Sequence, residues 1–273
     1  MTISKQQAIP KISVIMSVYN GMQYLKQAVK SILNQTYKNF EFIIVNDAST
    51  DSTPKYLKSL KDKRIRIVNN KKNVGLAMSL NKALKAAKGD YIARMDADDV
   101  SYPTRLELQL KYLLKNPNTD ICGCWADLVD EKGKLIGEKK YPKSPKAIYN
   151  TLPCYPCIIH PTFFAKKGFF TALNGYDAGF EMAEDYDLLM RARKKFEMAN
   201  VDKKLFAWRL WADRRSRKEM RLMDKVDLKI KIAAIKRDGF ELNSALMLAK
   251  SLFLIYSIPY PIKLKVAKLL KAA

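Results

Sequence analysis

The chain has 273 residues, 48% hydrophobic and 28% charged, a globular composition that excludes a disordered or fibrous protein. Lys and Arg number 50 against 27 Asp and Glu, a formal charge of +23, which points to an anionic partner: a membrane surface, a nucleic acid or a phosphorylated substrate. Four cysteines are too few for a disulfide framework in a chain of this length, and residues 1–10 lack the apolar segment of a signal peptide, so a reducing, cytoplasmic location is expected.

Residues 12–19 form an apolar strand candidate closed by Asn20-Gly21, a turn signal. Tyr24, Leu25, Ala28, Val29, Ile32 and Leu33 then recur at helical spacing. A second strand is predicted at 40–45, ending at Asn46-Asp47. Asp51-Ser52-Thr53-Pro54 opens a second helix, and 65–68 makes a third strand. A third helix follows Asn73-Val74-Gly75 and is stopped by Lys88-Gly89. A fourth strand is predicted at 91–95. This alternation with short connections argues for right-handed crossovers and a mainly parallel sheet with helices on both faces. Ligands of such sheets bind outside the carboxyl ends of the strands. Asn20, Asp47 and Asp96 each sit at such an end.

The fourth strand runs into Arg94-Met95-Asp96-Ala97-Asp98-Asp99. Three carboxylates in four residues raise each other's pKa and oppose folding unless positive charge sits among them. Asp96 and Asp98 are two apart and in extended chain point the same way. Convergent carboxylate oxygens suit a hard divalent cation that also binds phosphate, as Mg2+ does; a solvated acidic turn is the plain alternative. Pro103, Thr104 and Glu107 then read as a helix start with capping-box spacing, the helix running to about residue 115.

Further on, 120–129 is strand-like, 131–134 a turn, 144–151 a short helix, and 157–165 a strand carrying the only histidine, His160. Glu184-Asp185 begins a helix in which Leu188, Leu189 and Ala192 follow Asp185 at three, four and seven. Asp185 therefore falls on the apolar stripe, with Asp187 pointing elsewhere. Burial raises such a carboxylate's pKa and the helix N-terminus lowers it, one way to poise a base. Cys122-Gly123-Cys124 and Cys154-Tyr155-Pro156-Cys157 have imperfect zinc spacing and read as core. Residues 191–273 carry 22 of the Lys and Arg but 8 of the acids, and no acid follows Glu241. Residues 242–262 are apolar but broken by Pro259 and Pro261, and 262–271 oppose Ile262, Val266, Leu269 and Leu270 to four lysines. That is an amphipathic basic tail suited to an anionic membrane surface.

Taken together, the motifs resemble family 2 glycosyltransferases of the GT-A fold. They run, in order, from the opening strand to Asn20, through Val45-Asn46-Asp47-Ala48-Ser49-Thr50-Asp51, Asn73-Val74-Gly75 and Ala93 to Asp99, to His160-Pro161-Thr162, Asn174-Gly175-Tyr176-Asp177 and Glu184-Asp185-Tyr186-Asp187. Each is weak alone; their order makes the series specific. The resemblance implies a GT-A domain over residues 10–212 and a basic helical appendage over 213–273. It implies an inverting transfer from a nucleotide sugar, UDP-linked by expectation, to a hydroxyl of a glycan or lipid-linked acceptor in surface polysaccharide synthesis.

By the same resemblance, Tyr19, Asn20, Asp47, Asn73 and Asp96 line the nucleotide, Asp47 accepting the uracil N–H. Asp96 and Asp98 form the DxD pair on Mn2+ or Mg2+, and Asp185 is the general base. Relatives of this type often carry Tyr-Arg-x-His after the base helix, the histidine a further metal ligand; here the run is Trp208-Arg209-Leu210-Trp211. Arg94 is expected to balance the acid cluster and His160 to be a hydrogen-bonded structural residue beside the acceptor. The residues at 213–273 place the enzyme peripherally on the cytosolic face of a membrane; nucleic acid is not expected, for want of a reader motif. The competing reading is a catalytically inactive GT-A-fold module docking to anionic membrane or nucleic acid.

Overall fold

A computed structural model describes residues 11–211, 220–239, 248–249 and 251–252. Strands β1 (Ile12–Val18), β2 (Phe40–Asn46), β3 (Ile65–Asn69) and β4 (Tyr91–Met95) alternate with helices α1 (Met22–Leu33), α2 (Thr53–Ser59) and α3 (Leu76–Ala86). All four strands are parallel, β1 pairing with β2 on one side and β4 on the other. Alternation along β1 decides which core each residue joins. Ile12, Val14, Met16 and Val18 pack with Leu25, Ala28, Val29 and Ile32 of α1. Ile15 faces the opposite core with Ala77, Leu80 and Ala83 of α3. Both helices supply apolar residues three and four apart, the condition for burying one stripe.

The remaining elements are β5 (Val100–Ser101), α4 (Arg105–Lys115), β6 (Thr119–Val129), β7 (Leu135–Lys139), α5 (Pro145–Thr151), β8 (Phe164–Lys166), α6 (Lys167–Ala172), α7 (Glu184–Ala192), β9 (Glu197–Arg209) and α8 (Met220–Asp238). They extend the sheet to the order β3-β2-β1-β4-β8-β6-β9-β5, with β7 hairpinned to β6. Here the pairing is mixed: β8 is antiparallel to β4 and β6, while β9 is parallel to β6. The order reverses at β1, so a crevice opens beyond the carboxyl ends of β1 and β4. Among the described residues no helix is long and apolar enough to cross a membrane.

Several sequence expectations shift. The strand expected over 157–165 is confined to β8, because Pro161 has no N–H for a ladder and His160–Thr162 coils into a 3-10 turn. The capping box at Thr104 does not form: Thr104 makes no side-chain cap, and Glu107 instead accepts a hydrogen bond from Thr36 at 2.6 Å. Asp187 does not point away from the core; it is 3% exposed and paired with Arg191 at 2.8 Å. Both faces of α7 are packed, since α8 covers its outer side: Arg237 donates to the Met190 carbonyl and Lys231 to that of Cys154. The amphipathic segment at 262–271 lies outside the described residues.

Candidate active site

The acidic turn begins where β4 ends. Arg94 is 1% exposed, and its guanidinium grips both oxygens of Asp96, at 2.6 and 2.5 Å. Burial works against the Arg94 charge, and the Asp96 carboxylate more than restores it. The backbone of the turn is clamped by two further buried arginines. Arg105 donates to the Arg94 carbonyl at 2.6 Å and to Gln109 at 2.9 Å. Arg209, at the end of β9, places its amide N–H on Asp99 Oδ1 and its Nε on the Asp98 carbonyl, both at 2.8 Å. The rest of its guanidinium reaches the carbonyls of Asp130 and Glu131 and Gln27 Oε1, with Tyr24 beneath its plane. Trp211 Nε1 donates to Asp98 Oδ2 at 2.9 Å.

The turn holds oxygens of Asp96, Asp98 and Asp99 within 4.8 Å of one another. Three hard oxygen donors, two of them on half-buried side chains opening onto a cavity, fit a Mg2+ or Mn2+ ion. Soft or nitrogen-preferring ions have no ligand in that set.

That cavity, about 490 Å³, joins the turn to the start of α7. Asp96 and Asp98 lie on its wall, with Glu184 and Asp185 on the same wall system, and Tyr141, Met182, Trp208 and Met223 supply apolar surface. Asp185 Oδ1 accepts the Tyr186 N–H at 2.8 Å. Burial raises the Asp185 carboxyl, with that N–H and Arg94 pulling the other way. Glu184, 6% exposed, is pushed up to about 7 by burial and then by the charge of Asp185. His160 also lines the cavity. Its Nε2 lies 3.0 Å from the Tyr176 hydroxyl, and burial, then Arg94, keeps the imidazole neutral.

The structure thus brings together Asp96, Asp98 and Asp185. Tyr19, Asn20, Asp47 and Asn73 lie outside that lining, on the loops that follow β1, β2 and β3. Tyr19 is 51% exposed. Asn20 Oδ1 receives the Thr50 N–H at 2.8 Å, holding these two loops together. Asp47 is 2% exposed, and its carboxylate accepts from Asn70 Nδ2 and from the amides of Val74 and Gly75 at 2.7–2.9 Å. It holds the loop leading into α3, whose Leu76 does reach the cavity. The neighbouring Ala48 adopts φ 58°, a left-handed conformation in which glycine avoids a Cβ penalty of about 1 kcal/mol.

Residues 13–170 match glycosyl transferase family 2. This chain belongs to that family. The O-antigen biosynthesis glycosyltransferase WbnJ of Escherichia coli is 41% identical over 182 residues, 66% of this chain and 70% of that protein. The matched segment takes in between 64 and 70% of the length of four curated relatives. In fold, this glycosyltransferase is similar to S. aureus TarS 1-349 in complex with UDP-GlcNAc, with a TM-score of 0.71 at 20% identity over 90% of this chain and 73% of that one. It is similar also to the mannosyltransferase PcManGT from Pyrobaculum calidifontis in complex with GDP-Man and Mn2+, with a TM-score of 0.64 at 20% identity over 96% and 80%. Both likenesses establish the GT-A architecture.

Sequence reasoning missed several wall residues of this glycosyltransferase. Tyr141, Met182 and Met223 carry no motif. Glu184 was visible beside Asp185, but its burial was not. Arg209 stood in the Trp208–Trp211 run, and nothing local announced that one side chain would bind three segments.

Proposed function

We propose that this glycosyltransferase moves a sugar from a nucleoside diphosphate donor, UDP-linked, to a hydroxyl of a glycan or lipid-linked acceptor, inverting the anomeric centre in one displacement. The observation that carries the reading is the single cavity shared by the Asp96–Asp99 turn and Asp185. Donor chemistry belongs at the turn and acceptor chemistry at α7. UDP-GlcNAc in TarS and GDP-Man with Mn2+ in the mannosyltransferase support a nucleotide sugar and a divalent ion.

Asp98, with Asp96 and Asp99 beside it, is the carboxylate set that holds Mg2+ or Mn2+. When bound, the ion neutralises the charge that develops on the departing diphosphate. Tyr19, Asn20, Asp47 and Asn73 shape the nucleotide end at the β1, β2 and β3 tips. Asp185 accepts the proton of the acceptor hydroxyl as its oxygen forms the bond to the anomeric carbon. The bond from that carbon to the diphosphate oxygen breaks on the opposite side, and the electron pair leaves with the diphosphate. Arg94 holds Asp96 in place through both of its oxygens, and neutral His160 packs the floor through Tyr176. The apolar wall from Tyr141, Trp208 and Met223 excludes water from the acceptor side. The basic C-terminal residues dock the enzyme peripherally on anionic membrane.

The test is release of UDP, GDP or dTDP from a panel of sugar nucleotides with purified protein and a divalent ion. Asp98→Ala should abolish Mn2+-dependent release in a protein whose melting curve is unchanged. Asp185→Asn should keep UDP binding and lose turnover by 10²-fold or more, roughly the contribution of a positioned base. Normal turnover by Asp185→Asn removes the base assignment.

A further inference from the structure

We propose that Asp227 is a specificity-determining residue: it holds a hydroxyl of the acceptor sugar beside the one that reacts, and so selects an acceptor without negative charge. The inference rests on the transferase reading above and concerns its acceptor alone.

Helical spacing sets Met223, Val226, Ile230 and Ala234 of α8 on one stripe. Val226, Ile230 and Ala234 join the core that holds Leu188, Leu189 and Met190 of α7, and Met223 lines the cavity. Asp227 and Lys231 fall on this same inward side, where apolar residues would otherwise pack. Lys231 is 6% exposed. Its Nζ donates to Asp227 Oδ2 at 2.8 Å, to Ser251 Oγ at 2.9 Å and to the Cys154 carbonyl at 3.3 Å. Ser251 Oγ donates to the same Asp227 oxygen at 3.4 Å. Oδ1 of Asp227 has no partner among the described residues, and its side chain, 30% exposed, lines the cavity.

An inward ion pair stabilises a fold no better than well-packed apolar side chains of the same volume. What this pair supplies is a carboxylate anchored through one oxygen, with the other available to whatever fills the cavity. A fixed, charged acceptor suits an O–H donor, and the bond is of the strong, charge-assisted kind. The charge of the wall then decides which sugars fit. At the α7–α8 end the lining carries Glu184, Asp185 and Asp227. Its one arginine, Arg94, is engaged with Asp96, and no lysine stands on the lining among the described residues. A carboxylate or phosphate on the acceptor would meet like charge there without a cation to balance it, whereas sugar hydroxyls meet acceptors. Selection by repulsion of the wrong ligand adds to selection by the bond itself.

The experiment measures transfer from UDP-linked sugars to octyl glycosides by mass spectrometry. The neutral panel is glucoside, galactoside, mannoside and N-acetylglucosaminide; octyl glucuronide and octyl glucoside 6-phosphate are the anionic probes. A neutral glycoside should be used with a kcat/KM roughly tenfold or more above either anionic probe. Asp227→Asn keeps the side-chain shape and an oxygen for Lys231. It should raise the KM for the neutral glycoside about tenfold, the loss of one hydrogen bond to a charged group, and by more than it lowers kcat. The preference for neutral over anionic probes should narrow in the same variant, a change that a purely structural aspartate would not produce. Equal or better use of the anionic probes by the wild type overturns the proposal, and so does an unchanged KM in Asp227→Asn. Transfer to none of the neutral glycosides, with the donor still cleaved, overturns it and leaves the transferase reading standing. Absence of cleavage of any sugar nucleotide by the wild type overturns the transferase reading and the acceptor assignment with it.

Discussion

Glu184 and Asp185 are neighbours on one cavity wall, and ionising both at once is costly. Burial and the Asp185 charge let Glu184 keep its proton to about pH 7, whereas in the unfolded chain it ionises near 4.5. Between those values the folded state binds the extra proton, so stability falls as pH rises, and above 7 the full penalty applies, on the order of 3 kcal/mol. Glu184→Gln should therefore raise the melting temperature at pH 8 and change it little at pH 4, which calorimetry at the two pH values checks. The same substitution removes a negative neighbour from Asp185, the proposed base. The acidic limb of kcat/KM should move to lower pH, while a purely structural glutamate would leave the profile in place. Sequence periodicity anticipated an inward Asp185, because three leucine and alanine positions repeat behind it. It did not anticipate buried Glu184 and Asp187, since a helix covered on two sides has no outward face, and the second cover, α8, comes from distant sequence.

At the scale of elements, the site depends on a turn that would fly apart without clamps, and Arg209 is the widest of them. Its planar guanidinium serves Asp98, Asp130, Glu131 and Gln27 at once. A lysine has three donors and no plane, so Arg209→Lys strands acceptors beneath a buried position. It should cost about 2–4 kcal/mol by thermal or urea unfolding, and lower the affinity for UDP with Mn2+ as the Asp98 loop loosens. A surface arginine would show neither effect. The first four strands were legible because each is a short apolar run ending in a turn signal; the strand expected at 91–95 is β4 to the residue. The later sheet was not. In β9, Asp202, Lys203 and Lys204 interrupt the apolar pattern where its pairing with β6 slips register at Cys124 and Trp125. In β7, Leu135 and Ile136 are more than half exposed, so no buried face marks the strand. The acidic turn itself was plain in the sequence, but its arginine partners lie up to 111 residues away and only folding brings them in.

For the whole molecule, the sheet divides the work. Its parallel half ends in the loops after β1, β2 and β3 and in the acidic turn, and its mixed half, with α7 and α8, builds the opposite wall of the cavity. α8 lies beyond the family match at 13–170 yet contributes Met223 and Asp227 to the cavity, so acceptor choice is expected to vary with it. Lys231 of α8 anchors this arrangement by bonding Asp227 at 2.8 Å and Ser251 at 2.9 Å. Charge is distributed unequally too: much of the +23 falls after residue 190, and the four lysines 263, 265, 268 and 271 follow the last acid. Each basic residue near an anionic bilayer contributes about 1 kcal/mol, and the field fades over about 8 Å at physiological salt. The full chain should therefore sediment with vesicles containing phosphatidylserine, stay in solution with phosphatidylcholine alone, and be released by 0.5 M NaCl, a salt level at which screening is nearly complete. Reversing the four lysines to glutamate should abolish sedimentation and leave UDP release with a soluble acceptor intact. Undiminished sedimentation of that variant would move the docking surface from these four lysines to basic residues elsewhere in the chain.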